Sequence, residues 1–339
     1  MLSNLGDFID QLGRAGQLKR VACEVDAELE IAAITARVAR DHGPALFFEN
    51  VRGYRTPVVT NLFGTEERIR LALGVTKLDG ALTPPTESQG GWLDKLRGKT
   101  PSAESHSPRV VRTAPCQQVV QLGRDVDLAE WPALRAWPAE TRRSISAGLL
   151  VLPEGGQRVG MQSVAATILD RARLGVLGTI ALDQRTPAAI VLGGEPALAV
   201  IASPTAQAFA TSELAAHWRG RGPDVVACRT HDLLVPAEAE IVIEGFIDPA
   251  ETMPAPSVAA ESGYYATSGS MHAMEVTAVT HRTNPIFPVV VISTPPCESS
   301  VVRSVVSRWL RATIEQAVPE LVDYSLVTDA GPEQFAVVA

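Results

Sequence analysis

Most of the chain beyond residue 110 is a succession of short strand-like runs separated by Gly, Pro and Asn. Apolar and β-branched runs bounded by turn residues are typical of a sheet domain. The predicted strands cover residues 110–113, 144–152, 158–166, 188–192, 197–202, 224–227, 241–247, 275–280 and 288–292. Two helices are predicted among them, over 211–219 and 299–316. This pattern indicates a mostly antiparallel β domain or split barrel with a few helices.

The residues before this region have a different character. Apolar side chains at helical spacing predict a first helix that ends near Gly16, and a second helix is predicted over 28–41. Two short strands, over 45–50 and 57–61, and a helix from about Thr65 follow. Residues 83–108 are rich in Pro, Ser, Gly and Thr, which favours a mobile linker. We therefore predict a small α/β unit over 1–108 and a β domain over 109–339.

Composition narrows the class of protein. The chain has 339 residues, of which 46% are hydrophobic, and a formal net charge of −8. A negative charge argues against nucleic acid or an anionic membrane as the partner. The start of the chain lacks the basic and apolar regions of a signal peptide, and no apolar run reaches the roughly 18 residues of a membrane span. The four cysteines are far apart, as expected for reduced thiols. These features predict a cytoplasmic protein.

Five segments, in order, carry a resemblance to a known family. They are NLGDFIDQLGRAGQLKRV at the start, the stretch from Gly43 to Gly74, VPAEAEIVIEGFIDP over 235–249, SGYYATSGSMHAMEVTAVTHRTNPIFPVVVISTPPCES over 262–299, and PELVDYSLV over 319–327. On these segments the chain resembles the UbiD family of decarboxylases across nearly its full length. The resemblance implies an α+β fold, with the N-terminal α/β unit followed by an antiparallel, split-barrel-like β domain. It also leads us to expect that the family's C-terminal domain is absent.

The resemblance further implies a chemistry. The family carries out reversible decarboxylation of aromatic or α,β-unsaturated acids on prenylated FMN. A divalent metal, usually Mn²⁺, holds the cofactor phosphate, with K⁺ nearby, and an arginine with two carboxylates performs the acid–base steps. A buried phosphate needs cations, and the departing carboxylate must be replaced by a proton. The expected partners are a carboxylic acid substrate and further subunits, in a homo-oligomer or hetero-oligomer.

Some metal and phosphate positions of the family can be carried over. Glu213 lies ten residues beyond the pair Ala202-Ser203, the spacing of a family metal ligand, which makes Glu213 the metal candidate and places Ser203 beside the phosphate. A glutamate stabilised by a helix N-terminus is the alternative for Glu213. The family's Asn ligand falls on Arg158, whose guanidinium could bind phosphate or carboxylate directly. A plain surface arginine is the alternative.

The acid–base positions are largely replaced. The family's arginine aligns with Ser163 or a close neighbour, and its two glutamates fall on Ala255 and Ala260. Glu261, one place further along, is the catalytic carboxylate candidate there.

Two further side chains are candidates near these positions. His272 could form a general acid–base pair with Glu261, or be an ordinary structural histidine. Cys297, next to a predicted helix start, is a further candidate for cofactor contact, with a buried inert thiol as the alternative.

Three functions remain open from the sequence. The first is a carboxy-lyase on prenylated FMN with a metal site rebuilt around Glu213. The second is a non-catalytic accessory subunit of a hetero-oligomer with a complete homologue. The third is a flavin-independent enzyme on the same fold that uses Arg158, Glu261 and His272.

Overall fold

The fold is taken from a computed structural model that describes residues 2–76, 78, 108–154, 158–177, 182–202, 222–267, 269–317, 322–326 and 336–338. Ser203, Glu213, the predicted helix over 211–219 and nearly all of the predicted linker lie outside the described residues. The side chain of Arg158 is likewise not described.

The described helices and strands alternate in the first part of the chain, and strands dominate afterwards. The helices are α1 Leu5–Arg14, α2 Glu30–Arg40, α3 Glu66–Leu73, α4 Pro196–Ile201 and α5 Glu298–Ala317. The strands are β1 Leu18–Val21, β2 Ala45–Phe48, β3 Val58–Thr60, β4 Arg109–Val110, β5 Val119–Leu122, β6 Ser144–Glu154, β7 Arg158–Asp170, β8 Arg173–Leu177, β9 Thr186–Leu192, β10 Asp224–Ala227, β11 Leu234–Pro236, β12 Ile241–Pro254, β13 Ser257–Ala259, β14 Tyr265–Thr267, β15 Ser270–His281, β16 Phe287–Val289, β17 Tyr324–Leu326 and β18 Ala336–Val338. Within these ranges no helix is both long enough and apolar enough to cross a bilayer.

The N-terminal unit is built on a four-stranded sheet in the order β1-β2-β3-β16. The predicted first helix is confirmed as α1, which buries Leu5, Phe8, Ile9 and Leu12 on one face. The Asn4 side chain caps α1 by accepting a hydrogen bond from the Asp7 N–H at 2.8 Å. The fourth strand, β16, follows the last barrel strand in the sequence and pairs in parallel with β3. The sheet therefore takes strands from both sides of the predicted boundary.

A closed antiparallel barrel is the largest part of the described fold, and a three-stranded sheet in the order β11-β10-β4 lies outside it. Six strands follow one another in the order β12-β9-β6-β7-β8-β15, and β15 pairs with β12 to close the ring. The sequence prediction of an α+β fold with an antiparallel barrel-like domain is confirmed. Alternate residues of β9 enter two different apolar clusters, with Ala189 and Val191 in one and Ala188, Ile190 and Leu192 in the other. Because both faces of this strand are buried, it appears in the sequence as an uninterrupted apolar run.

One strand prediction was wrong. Residues 197–202 were expected to be extended, but they belong to helix α4, which begins at Pro196. A short apolar run without alternation fits a buried strand and a buried helix equally well. Proline at the first helical position and the helix-forming residues Ala and Leu decide for the helix. Strand β8 was not predicted, since its five residues, RLGVL, lack a clear alternation.

Candidate active site

A cavity of about 190 Å³ lies where α4 and the start of α5 meet the barrel. Backbone and small side chains of β6 (residues 146–148), Ser163 of β7 and the Gly193-Gly194 turn form part of its wall. Apolar side chains form much of the remainder: Leu5, Leu62, Phe63, Leu149, Val290, Ile292 and Val302. The polar groups that reach this apolar space are few, which is typical of a small-molecule site.

An ion pair between Glu261 and Arg303 lies in the wall of this cavity. The exposed fraction is 9% for Glu261 and 5% for Arg303, so the pair is largely removed from water. Glu261 belongs to the turn between β13 and β14, where the Gly263 N–H donates to the Ala260 carbonyl at 3.0 Å. Gly263 has a φ of 81°, a conformation that favours glycine, and this tight turn delivers the carboxylate to the guanidinium.

Glu298, the first residue of α5, is a second buried carboxylate of the cavity wall. Its Oε1 accepts a hydrogen bond from the Phe63 N–H at 2.9 Å. Its Oε2 has no hydrogen-bond partner within the described parts of the chain. Burial raises the pKa of Glu298 to about 7, against smaller opposing effects from the Phe63 N–H and the Arg68 guanidinium. Glu298 can therefore hold and release a proton near neutral pH.

Arg68, in helix α3, is a buried cation whose charge acts on Glu298. Its side chain is fully buried and donates from Nη1 to the Gly43 carbonyl at 3.1 Å and to Gln17 Oε1 at 3.3 Å. Burial lowers the pKa of Arg68, and the charge of Glu298 opposes that effect. The positive charge of Arg68, which does not line the cavity, thus partly compensates the negative charge of ionised Glu298.

Glu195 is the third carboxylate of the cavity wall. It is 4% exposed and follows Gly194, whose φ of 99° is one that a side-chain-bearing residue rarely adopts. This turn places Glu195 immediately before α4. The described lining thus contains three carboxylates, from Glu195, Glu261 and Glu298, and one guanidinium, from Arg303.

Several residues predicted from sequence come together here. Ser163 lines the cavity, and its N–H donates to the Ala202 carbonyl at 2.9 Å, so these two predicted positions are adjacent. Arg158 is the first residue of the same strand, β7. Cys297 is 1% exposed and directly precedes α5, with its Sγ 3.3 Å from Ser299 Oγ. Ser299 lines the cavity, whereas Cys297 lies behind it.

His272 is not brought to Glu261. It lies on β15, opposite Thr252 of β12 and Val176 of β8, and it does not line the cavity. The carboxylate of Glu261 is held by Arg303 instead, so the expected pairing of these two residues does not form.

Arg303, Glu195 and Glu298 are not among the site residues predicted from the sequence. One signal for Arg303 was present, because a single arginine interrupts the apolar run SVVRSVV in the predicted final helix. A charged residue among valines that face the core needs a buried partner. The valines Val302, Val305 and Val306 are indeed buried beside it.

Two models of known protein families match this chain. Residues 109–295 match the family model described as the 3-octaprenyl-4-hydroxybenzoate carboxy-lyase Rift-related domain, UbiD. Residues 9–81 match the N-terminal domain of the same carboxy-lyase. The chain belongs to the UbiD family.

Solved structures of UbiD-class enzymes share the fold. Vanillic acid decarboxylase of Sedimentibacter hydroxybenzoicus, in its open form with truncated ShVdcD, is 28% identical, with 97% of this chain and 73% of that chain covered and a TM-score of 0.81. An evolved dimeric form of HmfF from Pelotomaculum thermopropionicum, in complex with prFMN, is 26% identical over 96% of this chain and 76% of that chain, with a TM-score of 0.75. The apo 3,4-dihydroxybenzoic acid decarboxylase AroY of Klebsiella pneumoniae, 21% identical over 99% and 75% of the two chains with a TM-score of 0.75, is alike in fold.

The described lining of this UbiD family member fits one end of a flavin. Its apolar walls suit a flat ring system, and its carboxylates can exchange protons with atoms held against them. A phosphate dianion needs more positive charge than one side chain supplies, and the described lining contains a single guanidinium, that of Arg303. The family positions for the phosphate and its metal, Ser203 and Glu213, lie outside the described residues. The described residues therefore fit the ring system of prenylated FMN, and the residues expected at its phosphate lie outside them.

Proposed function

We propose that this protein is a UbiD-class carboxy-lyase that releases CO₂ from a small aromatic or α,β-unsaturated carboxylic acid. The observation that carries the proposal is that one arginine, Arg303, and acidic side chains, among them Glu261 and Glu298, line a single largely apolar cavity. The family is expected to use an arginine and two carboxylates. Here the same set of groups comes from other positions in the chain. The names of the similar vanillic acid and 3,4-dihydroxybenzoic acid decarboxylases support an aromatic acid as substrate.

Arg303 is the group we assign to the substrate carboxylate. A planar guanidinium binds a carboxylate through two parallel hydrogen bonds, and the apolar walls strengthen that attraction by excluding water. Glu261 orients the guanidinium and keeps it in the cavity wall. As CO₂ leaves, the negative charge leaves the guanidinium and moves to the carbon that carried the carboxylate.

Glu298 is the group we assign to proton delivery. With a pKa of about 7, a large fraction of Glu298 is protonated at neutral pH. The Phe63 N–H holds Oε1, which leaves Oε2 to carry the proton. The carbon–carboxylate bond breaks, the proton passes from Oε2 to that carbon, and the resulting carboxylate regains a proton from water.

The electron pair left behind by CO₂ needs a sink, and prenylated FMN supplies one when it is bound. The proposal assigns its phosphate, with Mn²⁺ and K⁺, to the region of Arg158, Ser203 and Glu213. The acid-rich lining also favours a second candidate, a flavin-independent enzyme on the same fold. The two candidates differ in one measurable property, which is whether activity requires the flavin.

The test uses the full chain produced with and without a flavin prenyltransferase. Each preparation is incubated with a panel of aromatic and α,β-unsaturated acids, and CO₂ release and deuterium incorporation from D₂O are measured. We expect turnover of at least one acid by the flavin-loaded protein. We also expect a loss of about 100-fold or more in Glu298→Gln and Arg303→Ala, in line with the usual contribution of a positioned acid. The matched controls, Glu251→Gln and Arg308→Ala, replace exposed residues and should retain activity.

The outcomes separate the hypotheses. Activity that is equal with and without the flavin selects the flavin-independent enzyme. A flavin-bound protein that turns over none of the acids contradicts the carboxy-lyase proposal. Copurification with a longer homologue, with turnover only by the pair, would instead identify an accessory subunit. Activity that survives in both Glu298→Gln and Arg303→Ala would show that these side chains were wrongly assigned.

A further inference from the structure

The turn between β10 and β11 brings together three side chains of the kinds that bind metal ions. Cys228 and His231 belong to this turn, and Glu244 lies on β12 of the barrel. The thiol sulfur, an imidazole nitrogen and a carboxylate oxygen all lie within 4.8 Å of one another. None of the three lines the candidate active site, so this cluster is a separate feature of the fold.

Backbone hydrogen bonds fix the cluster. The Cys228 N–H donates to the Leu233 carbonyl at 2.9 Å and closes the turn. Glu244 Oε2 accepts hydrogen bonds from the N–H groups of Arg229, at 2.7 Å, and Thr230, at 3.0 Å. The turn is therefore anchored on the very carboxylate that belongs to the cluster, and little rearrangement is needed to bring the three groups closer.

Two atoms of the cluster remain buried without a hydrogen bond. Glu244 is fully buried, and its Oε1 has no partner in the described parts of the chain. His231 Nε2 lies 3.2 Å from the Ala188 carbonyl and donates to it, which leaves the lone pair on Nδ1. Nδ1 is also buried without a partner among the described residues. Buried polar atoms are nearly always satisfied, so two orphaned acceptors beside a thiol point to a missing cation.

We propose that Cys228 Sγ, His231 Nδ1 and Glu244 Oε1 bind a divalent transition metal, with Zn²⁺ the best match. Mixed sulfur, nitrogen and oxygen ligands suit zinc, whereas Mg²⁺ and Mn²⁺ prefer oxygen. In a tetrahedral zinc site such ligand atoms lie roughly 3.3–3.6 Å apart, so side-chain movements of about 1 Å complete the geometry. The bond from Nε2 to the Ala188 carbonyl is the outer contact that metal-bound histidines usually make.

The protons and charges balance when the metal ion binds. The Cys228 thiol releases its proton to water, the thiolate and the ionised Glu244 neutralise the dication, and His231 binds as the neutral ring. A water molecule can fill the fourth position. The metal joins the β10–β11 turn to barrel strand β12 and thereby links the three-stranded sheet β11-β10-β4 to the barrel.

Cobalt spectroscopy tests the site. Full-length protein is stripped with a chelator and titrated with Co²⁺, whose thiolate complexes absorb in the near ultraviolet. An oxygen-only site elsewhere in the chain would bind Co²⁺ without that band. We expect the band to saturate at one equivalent in the unaltered protein and in Cys297→Ser, the matched control for a buried thiol. Zn²⁺ should then displace Co²⁺ and abolish the band.

Two variants make the result decisive. Cys228→Ser should lose the band, and His231→Gln should bind at least about tenfold more weakly, while circular dichroism shows each to be folded. The proposal is overturned if the unaltered protein gives no band or if Cys228→Ser keeps it. If Cys228→Ser does not fold, unchanged Co²⁺ affinity in folded His231→Gln is the overturning result.

Discussion

Substituting Glu298 by glutamine should remove one source of pH dependence from the free energy of unfolding. The amide keeps an oxygen that can accept the Phe63 N–H, but it carries no charge at any pH. In the native protein the pKa of Glu298 is raised from 4.5 to about 7. The folded state therefore binds this proton more tightly than the unfolded state, and the free energy of unfolding falls as pH rises from about 4.5 to 7.

The magnitude follows from that shift. Integrated between pH 5 and pH 8, a pKa change of this size corresponds to roughly 2–3 kcal/mol of lost stability. Glu298→Gln removes this loss. The stability of the variant relative to the unaltered protein should therefore improve by roughly 2–3 kcal/mol at pH 8 compared with pH 5. Using the difference between the two pH values cancels any effect of the substitution that does not depend on ionisation.

The assay is urea unfolding followed by tryptophan fluorescence at the two pH values. Glu251→Gln, at an exposed carboxylate, is the matched control and should change the same difference by less than about 0.5 kcal/mol. A difference near zero for Glu298→Gln would mean that the folded protein ionises this carboxyl as readily as the unfolded chain does. A difference of opposite sign would mean that attraction to Arg68 outweighs burial. Either result refutes the assignment of Glu298 as a proton donor near neutral pH.

Three further substitutions test the fold by urea unfolding. Gly245→Ala should destabilise by about 1–3 kcal/mol, because a Cβ there would lie 2.0 Å from the Glu275 carbonyl oxygen; no measurable loss would mean that β12 and β15 pack less closely at Gly245 than described. Phe8→Ala should cost about 3–5 kcal/mol, since the ring is fully buried and stacks on Phe63 at 5.7 Å between centroids, with Phe8→Leu as the milder comparison. Asn4→Ala removes the cap of α1 and should cost about 1 kcal/mol, whereas Asn4→Ser should restore most of it.

The local sequence pattern was enough to predict those helices and strands whose apolar residues recur at a regular spacing or lie between turn residues. Helix α1 could be predicted because apolar side chains recur at helical spacing and Asn4 supplies a cap. The long barrel strands could be predicted because turn residues delimit them. Helix α4 could not be predicted, since six apolar residues without alternation are compatible with a helix and with a strand. The turn at Gly193 and Gly194 could not be predicted either, because its close approach to the Ala239 backbone is decided by tertiary packing.

The candidate site was less predictable for a related reason. Glu261 was found because a family landmark lies beside it in the sequence. Its partner Arg303 is 42 residues further along, and only tertiary packing brings α5 to the β13–β14 turn. Glu298 resembles any glutamate at a helix start until Phe63 and Arg68, from the N-terminal unit, are seen to enclose it. Burial and long-range charge pairs of this kind have no local signature.

Ring closure has a consequence for how the protein is made. The first barrel strand, Ser144–Glu154, leaves the ribosome long before Ser270–His281, the strand that closes the ring. At about 5–20 residues per second, the interval is on the order of ten seconds. Throughout that interval the growing chain carries unpaired strand edges, which are templates for pairing with other nascent chains. The same delay applies to the N-terminal sheet, which waits for Phe287–Val289. Slower translation or fewer chaperones during expression should therefore lower the yield through aggregation of unfinished chains, even where the finished protein is stable.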